Sequence, residues 1–303
     1  MRRGEHGGVH DELAELFDRQ GGVATTKQIL ALVSRRYLDL LLDCTAVERI
    51  WRGVYAFGAA DDQIRLRGLD ISCGEEVVIC LATAARAYGF DTESGGALHV
   101  LNPLRHQLRP AEGLVIHRRE GAPLSTVLAR PATAPAWTAI EVARSLRRPR
   151  ALATLDAALR SGTCDRVDLV RATTAQTGRR GIVKVRALLP LADGLAESPM
   201  ESEARLVMID GGLPVPVLQY GIIDSWGRSR RFDFAWPRFK VAAEYDGGES
   251  HSGAEAMRQD RERLAALQDL GWMVIPIVVG DVRNRPHMLV ARIDAQLRRA
   301  HAA

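Results

Sequence analysis

The stretch RFDFAWPRFKVAAEYDGGESH, residues 231–251, constrains this chain more than any other. It sets one carboxylate, Asp233, inside an otherwise apolar strand, and two more, Glu244 and Asp246, at the end of the next. Strand side chains alternate faces, which predicts Phe232 and Phe234 on one side and Asp233 on the other, with Glu244 and Asp246 sharing a face. A tight turn at Pro237-Arg238 would lay the two strands side by side, so that all three carboxylates converge. Converging carboxylates repel one another and destabilise a sheet unless a cation sits among them. The expected cation is Mg²⁺ (or Mn²⁺), held by Asp233, Glu244 and Asp246, because it prefers oxygen ligands.

Composition narrows the setting. The chain has 303 residues, enough for two or three domains, and its 47% hydrophobic content excludes a disordered protein. No apolar run approaches the roughly 18 residues of a membrane span, and MRRGEHGGVHDEL lacks the apolar stretch of a signal peptide. Cys44, Cys73, Cys80 and Cys164 are scattered without Cys-x-x-Cys pairs, which argues against structural zinc or a disulfide framework. The expectation is a cytoplasmic protein with no membrane partner. A net charge of +4 is mildly basic and by itself adds little to the case for nucleic acid.

The C-terminal part, residues 196–303, reads as helix, three strands, helix, strand. Ser198 caps and Pro199 opens a helix that runs to Gly211-Gly212. Strands follow at Val217–Ile223, 228–236 and 239–245, then a helix over 255–270 stopped by Gly271, a strand from Met273 and a closing basic helix from Pro286. On the 255–270 helix, Met257, Leu264 and Leu267 mark an apolar stripe, and Asp260 falls on it. A carboxylate facing the sheet needs a partner, either Arg261 or Arg263 in a salt bridge or a place in the Asp233 site.

This order, with Asp233…Glu244-x-Asp246, resembles the PD-(D/E)xK restriction-endonuclease superfamily. More narrowly, residues 197–285 resemble DUF559 domains and the very-short-patch mismatch-repair endonuclease. The likeness rests on SPMESEARL, the FDF strand, EYDG, a histidine shortly after it, and D-R-x-R-x-x-x-L-x-x-x-G-W at Asp260–Trp272. It implies Asp233 as the metal-binding strand aspartate, Glu244 as the second acidic position, His251 as an active-site histidine and Asp260 as its partner. It also implies Glu201 as the first-helix glutamate, with Glu203 as the alternative. Asp246 stands where many members carry a lysine, so it would bind a second metal or act as base. Arg228, Arg230 and Arg231, before Asp233, would hold flanking phosphates or form a solvated basic edge.

At the other end, Val9–Arg19 reads as an amphipathic helix and Lys27–Leu32, capped by Thr25 or Thr26, as a short second one. Ser34 caps a third at Arg35–Asp43, and Val47–Phe57 alternates like a hairpin. Three helices and a hairpin make a winged helix-turn-helix over residues 1–60. GGVATTKQIL…VSRRYLDLLL…RIWRGVYA resembles the N-terminal domain of AbiEi-type antitoxins, DNA-binding repressors of type IV toxin–antitoxin systems. The resemblance implies that Ser34, Arg35, Arg36 and Tyr37 open a recognition helix meeting base edges, while Arg49 and Arg52 in the wing contact phosphates. Asp39 and Asp43 should weaken that affinity.

Residues 61–195 read as a middle α/β domain, with strands at ALHVLNP and GLVIHRRE, helices at 136–146 and 151–160, and a turn or linker at 131–136. His99, His106 and His117 are irregularly placed without nearby acids and predict no metal site. The whole is an α/β (α+β multidomain) chain. Two functions fit it. One is a Mg²⁺-dependent DNA endonuclease targeted by its winged helix. The other is a non-catalytic DNA-binding regulator of a type IV toxin–antitoxin system, with a toxin partner or a homodimer.

Overall fold

The computed structural model describes residues 5–90, 96–118, 121–247 and 254–302, without the side chains of 5–10 and 254–257. Two compact units divide the chain, one of residues 1–87 and 94–134, the other of 88–93 and 135–303. Both mix helices with small sheets.

The first unit begins with α1 (Glu5–Arg19), β1 (Val23–Thr25), α2 (Thr26–Leu32), α3 (Arg35–Asp43), β2 (Val47–Trp51) and β3 (Val54–Phe57). The three strands form one antiparallel sheet in the order β1-β3-β2. Three helices and a three-stranded antiparallel sheet follow the element order expected for residues 1–60. Their core is Leu13, Phe17, Ile29, Leu38, Leu41, Val47 and Tyr55, the inward stripe of each element. Thr25, rather than Thr26, caps α2, in a reciprocal capping box with Gln28. Ser34 caps α3 by accepting from the Tyr37 N–H at 3.3 Å.

α4 (Asp62–Cys73) lies against that sheet, and Gly68 permits the approach, since a Cβ there would stand 2.6 Å from Ile50 Cδ1. α5 (Leu81–Ala87) follows, then β4 (Leu98–Leu101) parallel to β5 (Leu114–His117), and β6 (Leu124–Val127) antiparallel to β7 (Arg130–Thr133). The expected linker at 131–136 is instead the end of β7 and the start of the next helix. Pro131 lacks an N–H, but its carbonyl accepts from the Ile79 N–H at 3.0 Å on the edge of β7 away from β6.

The second unit holds α6 (Pro135–Ser145), α7 (Arg148–Arg160), α8 (Arg166–Ala175) and α9 (Ile182–Leu188). It continues through α10 (Pro199–Asp210), β8 (Val217–Ile223), β9 (Ser229–Trp236), β10 (Val241–Tyr245), α11 (Ala254–Asp269), β11 (Met273–Ile277), α12 (Val279–Arg283) and α13 (Pro286–Ala302). The strands form one sheet in the order β11-β10-β9-β8, with β8, β9 and β10 antiparallel and β11 parallel to β10 through the α11 crossover. The predicted αβββαβ order is therefore present, with α12 inserted before the closing helix. α10 packs on α7 through a fully buried network. Asp156 accepts from Arg205 at 2.6 Å, from Ser202 at 2.6 Å and from the Asp193 N–H at 2.8 Å.

The strand faces depart from simple alternation. Phe234 packs with Ala204, Met208, Ile275 and Leu289 in one core, whereas Phe232 packs with Ala235, Ala242, Leu267 and Trp272 in the other. The expectation that Phe232 and Phe234 share a face is thus overturned. Across the ladder Gln219 has φ 50°, in the left-handed region that a non-glycine residue seldom adopts. Leu218 and Tyr220 on either side of it enter the same two separate cores.

Candidate functional site

The inversion places polar groups in one row across three strands. Leu218 pairs with Phe234 and Tyr220 with Phe232, so Gln219 and Asp233 stand opposite each other between them. The β9–β10 ladder ends at the Ala243–Phe234 pair, with Glu244 following on one strand and Asp233 preceding on the other. Beyond that pair the Tyr245 N–H is bound at 2.8 Å by the Asp233 carboxylate. The row Gln219–Asp233–Glu244 sits where neighbouring strands lie about 4.8 Å apart.

Glu201, only 8% exposed, joins the row from the first turn of α10. It accepts from Gln219 Nε2 at 3.0 Å and from the Glu197 N–H at 2.9 Å. The neighbouring Glu203 lies elsewhere, buried against Arg147, Arg150 and Arg283. Burial raises the pKa of Glu201, of Asp233 and of Glu244. Asp233 adds to the effect on both glutamates, so the three carboxylates sense one another. Arg263 of α11, ion-paired with Glu244, pulls the pKa of Glu244 back down, and the Tyr245 N–H with the charges of Arg231 and Arg263 does the same for Asp233.

Glu244, Asp246, Asp260, Arg263 and Leu264 line a cleft of about 570 Å³. Asp246 is exposed at the strand end, where its N–H donates to Ile277 O at 2.8 Å. Asp260 is exposed rather than turned to the sheet, and Leu264 is 40% exposed. Of the expected stripe Leu267 is fully buried, beside Ala266, whereas Leu264 and Asp260 line the cleft. His251 and the side chain of Met257 lie outside the described residues. Arg230 is bound to buried Asp224 at 2.8 Å, Arg231 to Glu197 at 2.7 Å, and Arg228 lies over the Trp226 ring.

Among the described residues no three His, Cys, Asp or Glu side chains are grouped as ligands of one ion. The donor set still suits a hard divalent cation. Asp233 and Glu244 are adjacent, and Gln219 Oε1 is buried with no hydrogen-bond partner among the described residues. Mg²⁺ needs only one or two carboxylates, with waters and phosphate completing its shell.

In the first unit, Ser34, Arg35, Arg36, Arg49 and Arg52 are exposed and Tyr37 half-buried, along α3 and the β2–β3 wing. Arg35 pairs with Asp39 at 3.4 Å on the same helix. The structure also pairs two histidines that spacing gave no reason to connect. His99 Nδ1 and His117 Nε2 lie 2.9 Å apart, their rings stacked, because β4 and β5 run in parallel register. Burial lowers both pKa values.

An uncharacterized protein of Mycobacterium tuberculosis (strain CDC 1551 / Oshkosh) is 55% identical over 271 residues, covering 89% of this chain and 100% of that protein. Its counterpart in strain H37Rv matches over the same extent at the same identity. The chain belongs to one family with these mycobacterial proteins. Residues 77–191 match the model of the AbiEi antitoxin C-terminal domain family. That segment runs from the approach to α5 through β4–β7 and α6–α9, the part of the sequence whose motifs said least. Among the described residues no helix is long and apolar enough to cross a membrane.

Proposed function

We propose that this protein is a DNA-binding regulator of a toxin–antitoxin pair, with duplex DNA and a cognate toxin as its partners. The observation that carries the reading is the AbiEi antitoxin C-terminal match at 77–191, preceded in the same chain by a winged helix-turn-helix. Such a fold binds duplex through the N-terminal residues of its third helix. Here Ser34, Arg35, Arg36 and Tyr37 open α3 beside the positive end of the helix dipole. Arg49 and Arg52 flank the wing turn and would grip phosphates. The test is fluorescence anisotropy on duplex from the region upstream of the protein's own gene, across a salt series. The double variant Arg35→Ala/Arg36→Ala should bind more weakly and lose up to about 2 units of log–log salt slope, near 0.9 per phosphate contact. Weak binding with an unaltered slope would remove these arginines from the interface.

A second reading, a Mg²⁺- or Mn²⁺-dependent DNA endonuclease, is favoured by one observation, the row of Asp233 and Glu244 with Glu201 beside it. Asp233 and Glu244 would hold the ion, which would supply a water of lowered pKa and offset charge growing on the phosphate. Asp246, Asp260 and His251 complete the family's expected set, and Arg228 would steady a flanking phosphate. Cleavage of duplex, mismatched, single-stranded or branched DNA by wild type, but not by Asp233→Ala, would support it. Equal activity of the two proteins would point to contamination and end it.

A further inference from the structure

The geometry points to Gln219 as a ligand of the carboxylate site, its amide oxygen forming with Asp233 and Glu244 one divalent-cation site across β8, β9 and β10. This rests on the metal-binding reading above and names a residue that no sequence motif marked. Three independent observations carry it. The first is position, since Gln219 lies between Leu218 and Tyr220, whose partners Phe234 and Phe232 flank Asp233, while Glu244 follows Ala243, whose partner is Phe234. The second is backbone. A left-handed conformation at a non-glycine residue costs about 1–3 kcal/mol and persists where the surrounding structure enforces it. Here it releases Gln219 from the ladder and sends its amide to Glu201. The third is the acceptor Oε1, buried without a donor among the described residues although its own Nε2 is bound. An unpaired buried carbonyl oxygen is destabilising, and a cation or its water satisfies it.

Glu201 has a defined part in this arrangement. By accepting from Nε2 it fixes which end of the amide is left as the free acceptor, as a bound ligand's partner does at metal centres. The set of Asp233, Glu244 and one amide oxygen contains only two His, Cys, Asp or Glu side chains, and it matches the mixed oxygen donors that Mg²⁺ accepts.

The test is Mn²⁺ binding to the full-length protein, followed by electron paramagnetic resonance and calorimetry, with folding checked by circular dichroism. Wild type should bind, Asp233→Asn should lose binding, and Gln219→Ala should bind about 10–100-fold more weakly. Gln219→Glu, which keeps an oxygen at the position and adds charge, should bind at least as tightly as wild type. Should Gln219→Ala fail to fold, Gln219→Glu and Gln219→Leu carry the comparison. If Gln219→Ala binds like wild type while Asp233→Asn does not, Gln219 is no ligand and the metal reading survives alone. If wild type fails to bind, or Asp233→Asn matches it, the metal reading falls and takes this inference with it.

Discussion

Replacing Asp156 by alanine should loosen the α7–α10 contact on which Glu201 depends. Asp156 is fully buried and Arg205 is 4% exposed, so the pair is screened by almost no water. The carboxylate receives three hydrogen bonds, from Arg205, Ser202 and the Asp193 N–H. Alanine removes the charge and leaves a buried guanidinium without its counter-ion, which costs about 3–5 kcal/mol. A unit of this size loses roughly 2–4 °C of Tm per kcal/mol, so the melt should fall by about 6–20 °C. The assay is thermal unfolding by circular dichroism, with urea denaturation to give the free-energy difference. Burial raises the Asp156 pKa despite Arg205, which marks the desolvation of this pair as expensive. A shape-matched apolar pair, Asp156→Leu with Arg205→Met, should therefore recover most of the loss. A single variant within about 1 kcal/mol of wild type would refute the account, because no buried, triply bonded charge should be removable so cheaply.

The titrations give two further predictions of opposite sign. Asp233 and Glu244 have folded pKa values raised by burial, so the native state holds more protons than the unfolded chain. The contribution of these two groups should be fully present below the unfolded carboxylate range, near pH 4, and be lost as pH rises through the folded values, opposite in sign to that of Asp224 and Asp281, whose values are lowered. Asp233→Asn should raise the Tm at pH 7 and bring little change at pH 4; a destabilised variant at pH 7 would show the burial cost misjudged. His99 and His117 have lowered values, so the unfolded chain binds more protons and the first unit should weaken as pH falls below about 6.5. His117→Gln should flatten that decline, as read by unfolding between pH 7.5 and 5.5, and an unchanged slope would sever the pair from the pH response.

Much of the fold was legible because its signals are local. Ser34 and Ser198 as caps, Gly-rich stops and the apolar strands from Val217 to Ile277 place α3, α10 and the four-stranded sheet within a few residues. What escaped were properties of pairs and faces. The choice between Glu201 and Glu203 depends on which side of α10 meets the sheet, and residues two apart on a helix point different ways. Asp260 lines the cleft with Glu244 but is exposed rather than turned under the sheet, because burial on α11 falls at Ala266 and Leu267, more than a turn beyond it. Gln219 carried no mark, since a left-handed turn in mid-strand is usually signalled by glycine or asparagine. His99 and His117 are 18 residues apart and meet only through a parallel pairing that no spacing encodes.

The carboxylate row bears on the choice between the two functional readings. Duplex DNA is a polyanion, and half-buried carboxylates facing it would repel phosphate wherever they lacked a counter-charge. Glu244 has Arg263, with side chains 20% and 27% exposed, which brings that pair near neutrality. Asp233 accepts the Tyr245 N–H, and although the charges of Arg231 and Arg263 lower its pKa, burial leaves it raised. A regulator that merely holds DNA gains nothing from the Asp233 charge, and an apolar residue or asparagine would pack there with less penalty. A residual negative charge beside an unpaired amide oxygen is, by contrast, what a divalent cation stabilises. The antitoxin-like segment supports the proposed DNA regulation, and the proposed metal site at the row is a separate question from it. Duplex binding measured with and without Mn²⁺, in wild type and Asp233→Asn, separates the two contributions. An Mn²⁺-dependent gain present only in wild type would join them, and the same gain in both proteins would assign the ion to the DNA alone.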